Sequence, residues 1–94
     1  MGLDIHHDEQ TKRYTAQMDG REVGLLTYRV LGEGLLDFTH TFVPPEQRGR
    51  GIAEQLVEHA LADTVERGYR FRASCWYVDV YARRHPRFQE AFAR

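Results

Sequence analysis

The chain has 94 residues, 41% of them hydrophobic and 12% aromatic, which supports one packed core spanning residues 1–94 and excludes an intrinsically disordered chain. The formal net charge of −1 gives no general attraction to nucleic acid or to an anionic membrane, and no apolar run approaches the ~18 residues that span a bilayer. Cys75 is the sole cysteine and residues 1–8 lack a charged-then-apolar leader pattern, so the expectation is a cytoplasmic protein without disulfides.

Residues 5–8 are expected to form a short edge strand. Arg13–Met18 alternates Tyr14, Ala16 and Met18 with polar neighbours, the period of a half-buried strand. Asp19-Gly20 marks a tight hairpin turn, whose central residues both need positive φ. Strands over residues 23–30 and 35–43, separated by the turn Leu31-Gly32-Glu33-Gly34, complete an antiparallel meander. Pro44-Pro45 ends the sheet, because proline cannot donate to a ladder.

An amphipathic helix follows, with Ile52, Ala53, Leu56, Val57, Ala60, Leu61 and Val65 on one face and Glu54, Gln55, Glu58, His59, Asp63 and Glu66 on the other,. Gly68 stands where a helix C-terminus expects glycine. Alternation over residues 69–75 predicts a strand, residues 78–84 a short helix closed by Pro86, and Phe88 and Phe92 fall in a final turn. If strands 35–43 and 69–75 are neighbours, the intervening helix makes them parallel. The class is α+β: a mixed, mainly antiparallel sheet with a central amphipathic helix and a short C-terminal helix.

The chemistry is concentrated in Gln47-Arg48-Gly49-Arg50-Gly51-Ile52-Ala53, which joins a strand to a helix N-terminus. Free N–H groups at the positive end of a helix dipole bind anions, and the small residues Gly51 and Ala53 allow a diphosphate close to the main chain. Twelve of the thirteen Lys and Arg residues are Arg. Compositional bias explains such usage, as does phosphate recognition by planar guanidinium groups; Arg48 and Arg50 stand where the second applies. A simple tight turn would account for the two glycines but not for the arginines beside them. A P-loop would need Gly-Lys-Ser/Thr, and a dinucleotide loop would need glycine where Glu54 stands.

Arg48-Gly49-Arg50-Gly51-Ile52-Ala53 resembles the acetyl-CoA signature of the GNAT superfamily, Gln/Arg-x-x-Gly-x-Gly/Ala, with Arg48, Gly51 and Ala53 on its defining positions. The flanking strands and helix match that superfamily's central unit in order and length. His40-Thr41-Phe42-Val43-Pro44, the loop, and Ser74-Cys75-Trp76-Tyr77-Val78 together resemble a subfamily of very small GNAT proteins. The resemblance implies an acetyl-CoA-dependent N-acetyltransferase. Main-chain N–H groups of Arg48, Gly49, Arg50, Gly51, Ile52 and Ala53 would hold the pyrophosphate. Thr41, Phe42 and Val43 would pair with the pantetheine arm and supply the oxyanion donor, and the thioester would lie where strands 35–43 and 71–75 splay.

Transfer to an amine needs a base, an oxyanion donor and an acid for the leaving thiolate. His40 is the candidate base, since its side chain titrates near neutrality; a structural strand histidine is the alternative. Cys75 would accept the acetyl group or protonate the leaving thiol, or else is an inert core thiol. Tyr77 and Tyr81 are alternative acids, against a role in aromatic packing. Arg83, Arg84 and Arg87 form a basic cluster with a solvated face or the cofactor's 3′-phosphate as its readings. No His pair has metal-ligand spacing, so no metal is expected.

Typical GNAT domains insert two helices between the first two strands and build much of the acceptor site from them. Here the connection is far too short. An open cleft is therefore expected, admitting an exposed lysine or another primary amine on a partner, from a monomer or a weak homodimer. A non-catalytic acyl-CoA-binding module is the alternative, and an interaction surface over Trp76–Tyr81 a third.

Overall fold

The computed structural model describes residues 2–93, and its first half is a meander set by three turns. Asp8 Oδ1 accepts from the N–H groups of Gln10 and Thr11 at 3.0 and 3.3 Å, closing the turn between β1 (Asp4–Asp8) and β2 (Arg13–Met18). Asp19 and Gly20, at φ 54° and 76°, lead into β3 (Arg21–Gly32), the paired positive values a two-residue hairpin requires. Gly34, φ 73°, turns the chain into β4 (Leu35–Phe42). The fifth strand, β5 (Arg70–Ala73), runs parallel to β4 in the register Leu35–Arg70 through Phe38–Ala73. Strand order is β1-β2-β3-β4-β5, the mixed, mainly antiparallel sheet of the expected α+β class.

The crossover from β4 to β5 runs through α1 (Ile52–Glu66), which buries Ile52, Leu56, Val57, Ala60, Leu61 and Thr64. Val65, expected in the core, is 40% exposed. The face continues through Thr64 instead, whose hydroxyl donates to Ala60 O at 2.8 Å and so loses its desolvation penalty,. Arg67 caps the helix C-terminus and Gly68, φ 77°, follows. The N–H groups of Gly68 and Tyr69 reach Val65 O and Thr64 O, the paired bonds that satisfy terminal carbonyls,. Gly24 sets how closely α1 lies on the sheet, since a Cβ there would meet Ile52 Cγ2 at 3.0 Å.

The second helix, α2 (Trp76–Arg84), begins two residues earlier than expected and β5 ends earlier, so Cys75 is the N-terminal cap position of α2 rather than a strand residue. Val78 and Ala82 join the α1 residues, Tyr14, Leu26 and Phe38 in one core cluster, placing α2 beside α1 on one face of the sheet. No helix among the described residues lies along the other face, which carries Thr27, Asp37, Thr39, His40 and Arg72. An isolated parallel bridge between Phe71 and Phe92 covers the outer edge of β5, and those two rings stack at 5.0 Å.

The sheet register shifts at three places, one of them between Val30 and Gly32 at the β3–β4 turn and two within the sheet. The β2–β3 register shifts at Ala16/Gln17, leaving Val23 as an extra residue, and both Val23 and Gly24 are buried. In β4, Thr27 pairs with His40 while Tyr28 pairs with Phe38, so Thr39 is extra and the alternation of side chains breaks there,. Near the C-terminal end of α1, His7 Nε2 and Tyr28 OH lie 2.7 Å apart, and the His7 ring stacks on Tyr14 at 4.1 Å. Tyr14 OH donates to Asp63 at 2.7 Å.

Candidate cofactor loop and active site

Pro45–Gln47 forms a single 3₁₀ turn after Pro44, and the chain then passes through Gly49 and Gly51, at φ 85° and 74°, on either side of Arg50. Left-handed residues alternating with ordinary ones turn successive N–H groups into a concave, anion-binding arrangement. The first bond of α1 runs from Gln55 N–H to Gly51 O at 3.1 Å, so the N–H groups of Ile52, Ala53 and Glu54 have no partner within the helix. No side chain caps that end. A Cβ at Gly49 would meet no atom within 4 Å, and one at Gly51 only Glu54 Oε1 at 3.7 Å. The glycines thus leave space in front of uncapped amides instead of relieving a clash.

A cleft of about 360 Å³ opens on this turn, lined by Gln47, Arg48, Gly49, Gly51, Ile52 and Ala53 among others. Gln47 Oε1 is buried there with no hydrogen-bond partner among the described residues. Beside it lies a larger, mainly apolar cleft of about 510 Å³ walled by Thr41, Phe42, Val43, Cys75, Trp76 and Tyr77. Arg48, Ala53, Val43 and Tyr77 belong to both walls. A pocket over helix amides that continues into a more apolar channel fits a diphosphate carrying a long, mostly apolar arm. The expected cofactor residues therefore converge, except Arg50, which is exposed and lines neither cleft. Arg48 Nε donates to Val43 O at 2.9 Å, folding the side chain across the end of β4. Arg48 is exposed, so releasing that bond costs about 1 kcal/mol.

The larger cleft ends where β4 and β5 part. Their ladder stops at Phe38–Ala73, and Cys75 N–H makes a last contact with Phe38 O at 3.0 Å. Beyond that point β4 continues to Phe42 with β3 alone, which frees its other edge. Cys75 Sγ and Thr41 Oγ1 lie 3.4 Å apart at the opening. Tyr77 is half-buried in the wall; burial first, and the charge of Glu54 second, push its hydroxyl above the ordinary tyrosine range. That hydroxyl is neutral near pH 7 and has no hydrogen-bond partner among the described residues.

The other two catalytic candidates are elsewhere. The Thr39 bulge turns His40 to the helix-free face, exposed and opposite Thr27, so β4 separates it from Cys75 and Tyr77. Tyr81 lies in the α1–α2 contact: it donates to Glu58, stacks on His85 at 3.9 Å and lines neither cleft. Desolvation and that bond to Glu58 raise its pKa. Arg87 pairs with Glu58 as well, and Arg83 pairs with Asp79 at 2.9 Å, so most of the basic cluster is engaged away from the loop. Sequence patterning missed the buried Asp37, whose oxygens accept from Ser74 N–H at 2.9 Å, Ser74 Oγ at 2.7 Å and Arg29 Nε at 3.3 Å. This carboxylate ties the segment before Cys75 to β4. A strand Asp between Leu36 and Phe38 reads as the solvent-facing member of the alternation, so the sequence gives no signal that it is buried,.

Comparison with known proteins agrees with this geometry. A family model described as GCN5-related N-acetyl-transferase matches residues 13–91. The Homo sapiens protein NATD1 is 34% identical over 83 residues, covering 87% of this chain and 74% of that one. A GCN5-like protein from Staphylococcus aureus, solved by NMR, superposes with a TM-score of 0.74 over 97% of this chain and 88% of its own, at 20% identity. The structure of N-acetylglutamate synthase from Neisseria gonorrhoeae complexed with coenzyme A and N-acetyl-glutamate gives a TM-score of 0.64 at 19% identity, over 87% of this chain and 22% of that one. With its uncapped glycine turn, parted strands and matched sequence, the chain belongs to the GCN5-related N-acetyltransferase family.

Proposed function

We propose that this protein transfers the acetyl group of acetyl-CoA to a primary amine, with an exposed lysine side chain as acceptor. One observation carries the reading: the cleft over the uncapped end of α1 continues, through shared walls, to the opening between β4 and β5. When bound, acetyl-CoA supplies an activated acetyl group and a thiol leaving group. The main-chain amides of residues 49–53 hold the pyrophosphate, and the free edge of β4 at Thr41–Val43 orients the pantetheine arm and faces the oxygen that becomes negative.

The two faces of β4 then divide the proton traffic. A lysine is almost wholly protonated at neutral pH, with an ordinary pKa of ~10.4. In this reading His40, on the face with no helix over it, takes one proton from the ammonium group before the N–C bond forms, which frees the nitrogen lone pair for attack. On the other face, Tyr77 carries the neutral hydroxyl that returns a proton to sulfur as the C–S bond breaks, and Cys75 is the second group in reach of that site. The alternative, a binding module without turnover, draws support from the β1–β2 connection, which is only residues 9–12 and leaves no room for acceptor-site helices.

One assay separates the two readings. Acetyl-CoA is titrated into the protein, following the amides of residues 48–53, and thiol release is then measured with a panel of lysine peptides and amines. Amide shifts with thiol release support transfer. Shifts without release favour the binding module, and no shift at all defeats both.

A further inference from the structure

Where the helix-free face of the sheet meets the flank of α2, against the segment that leads to Cys75, lies a pocket of about 350 Å³. It shares no lining residue with the two cofactor clefts. Its charged walls are Arg29, Asp37, Arg72, Asp79 and Arg83. Asp37 is 3% exposed and satisfied by Ser74 and Arg29. Asp79 is paired with Arg83. Each carboxylate thus has its own arginine. The remaining cation, Arg72, is exposed and has no hydrogen bond or ion pair among the described residues. The pocket carries one uncompensated guanidinium, and the group complementary to it is an anion that accepts two parallel N–H bonds, such as a carboxylate.

Position connects this pocket to the reaction. Arg72 is three residues before Cys75, about 10 Å along the chain at a strand rise of 3.3 Å per residue. It pairs directly with Asp37 and sits on the same face as His40. An acceptor that presents an amine to the parted strands from this side lays its neighbouring groups over Arg72. In an extended peptide, residues i and i+2 point the same way and lie ~7 Å apart, a span that the reach of a lysine side chain extends to the pocket.

We infer that the arginine-walled pocket is the acceptor-selecting site of the proposed transferase, and that it favours lysines followed two residues later by an acidic side chain. Arg72 is the specificity-determining residue. This inference rests on the transfer reading above, and it makes a claim which that reading does not: the acceptor is acidic.

The test uses the whole protein with two synthetic peptides that differ only in Lys-Ala-Glu against Lys-Ala-Gln. The ratio of their kcat/KM values with acetyl-CoA is measured for wild type, Arg72→Ala and Arg72→Glu. The expected ratio is about fivefold in favour of the acidic peptide, the scale of one partly exposed ion pair. It should fall to about one in Arg72→Ala and invert in Arg72→Glu. In parallel, each peptide is titrated into the CoA-loaded protein, following the Arg72 Nε–H and Ser74 amide resonances. Equal acetylation of both peptides by wild type overturns the acidic preference and leaves acetyl transfer standing. Selective binding of the acidic peptide at Arg72 without turnover overturns transfer and supports the pocket. Neither binding nor turnover overturns both.

Discussion

Replacing Gly51 with alanine separates the grip on the cofactor from the stability of the turn. Gly51 sits at φ 74° and ψ 17° as the cap of α1, where an L-residue is disfavoured by roughly 1–2 kcal/mol. A Cβ there would meet only Glu54 Oε1, at 3.7 Å, so steric conflict adds little. In a domain of this size, 1 kcal/mol lowers Tm by about 4–8 °C. Gly68, at φ 77° with nothing within 4 Å of its Cβ, is the matched control beyond the far end of α1, and Gly68→Ala should lose a similar amount. The difference lies in binding. A methyl group at position 51 adds bulk to the turn whose Ile52 and Ala53 amides would grip the ligand, and losing one charge-assisted bond of about 1.5–3 kcal/mol raises Kd for acetyl-CoA roughly ten- to hundredfold. Differential scanning calorimetry and isothermal titration calorimetry on the two variants read both quantities. If Gly51→Ala binds acetyl-CoA as wild type does, or Gly68→Ala weakens binding equally, the main-chain grip is not what holds the cofactor.

Three further outcomes follow from the clefts and the aromatic network. Tyr77→Phe removes a hydroxyl without a protein partner, so Tm should change by less than about 2 °C, while kcat falls roughly tenfold or more with KM for acetyl-CoA little changed; an unchanged kcat moves the acid role to Cys75 or solvent. Because the Tyr77 pKa is raised, its proton is lost only above the ordinary tyrosine range, and the wild-type rate should show no alkaline loss from this group below about pH 10. The His7 pKa is lowered, by burial first and Arg67 second, against the opposing charges of Asp63, Glu9 and Asp8. The unfolded chain therefore binds the proton more readily. The contribution of His7 to stability is present above its unfolded value of about 6.5 and is lost as pH falls through the lower folded value. His7→Gln should accordingly show a smaller drop in Tm between pH 7.5 and pH 5 than wild type, and an equal drop would remove His7 as the source.

The element order was legible because each signal was local. Asp19-Gly20 needs positive φ, α1 repeats its apolar residues at helical spacing, and the glycine–arginine turn lies just before it. What stayed hidden depends on contacts between distant residues. The Thr39 bulge exists only through the pairing with β3, and strict alternation therefore misplaces His40 relative to Cys75. Asp37 is buried because Ser74, 37 residues along the chain, and Arg29, across the β3–β4 hairpin, converge on it. Tyr81 looked interchangeable with Tyr77 one helical turn away, yet Glu58 on α1 draws it out of the cleft wall. The bridge to Phe92 carries no strand pattern, since it is a single pair.

Ile52 belongs to two systems at once: it is 2% exposed in the core, and as the first residue of the uncapped α1 it also lines the cleft over the glycine turn. The gripping turn therefore cannot loosen independently of the interior, and occupancy of the cleft is linked to cohesion of the entire molecule. A ligand at a hundred times its Kd adds about 2.7 kcal/mol against unfolding, a large share of what so small a domain retains. Supply of the nucleotide thioester would then set how long each copy survives proteolysis as well as how fast it turns over.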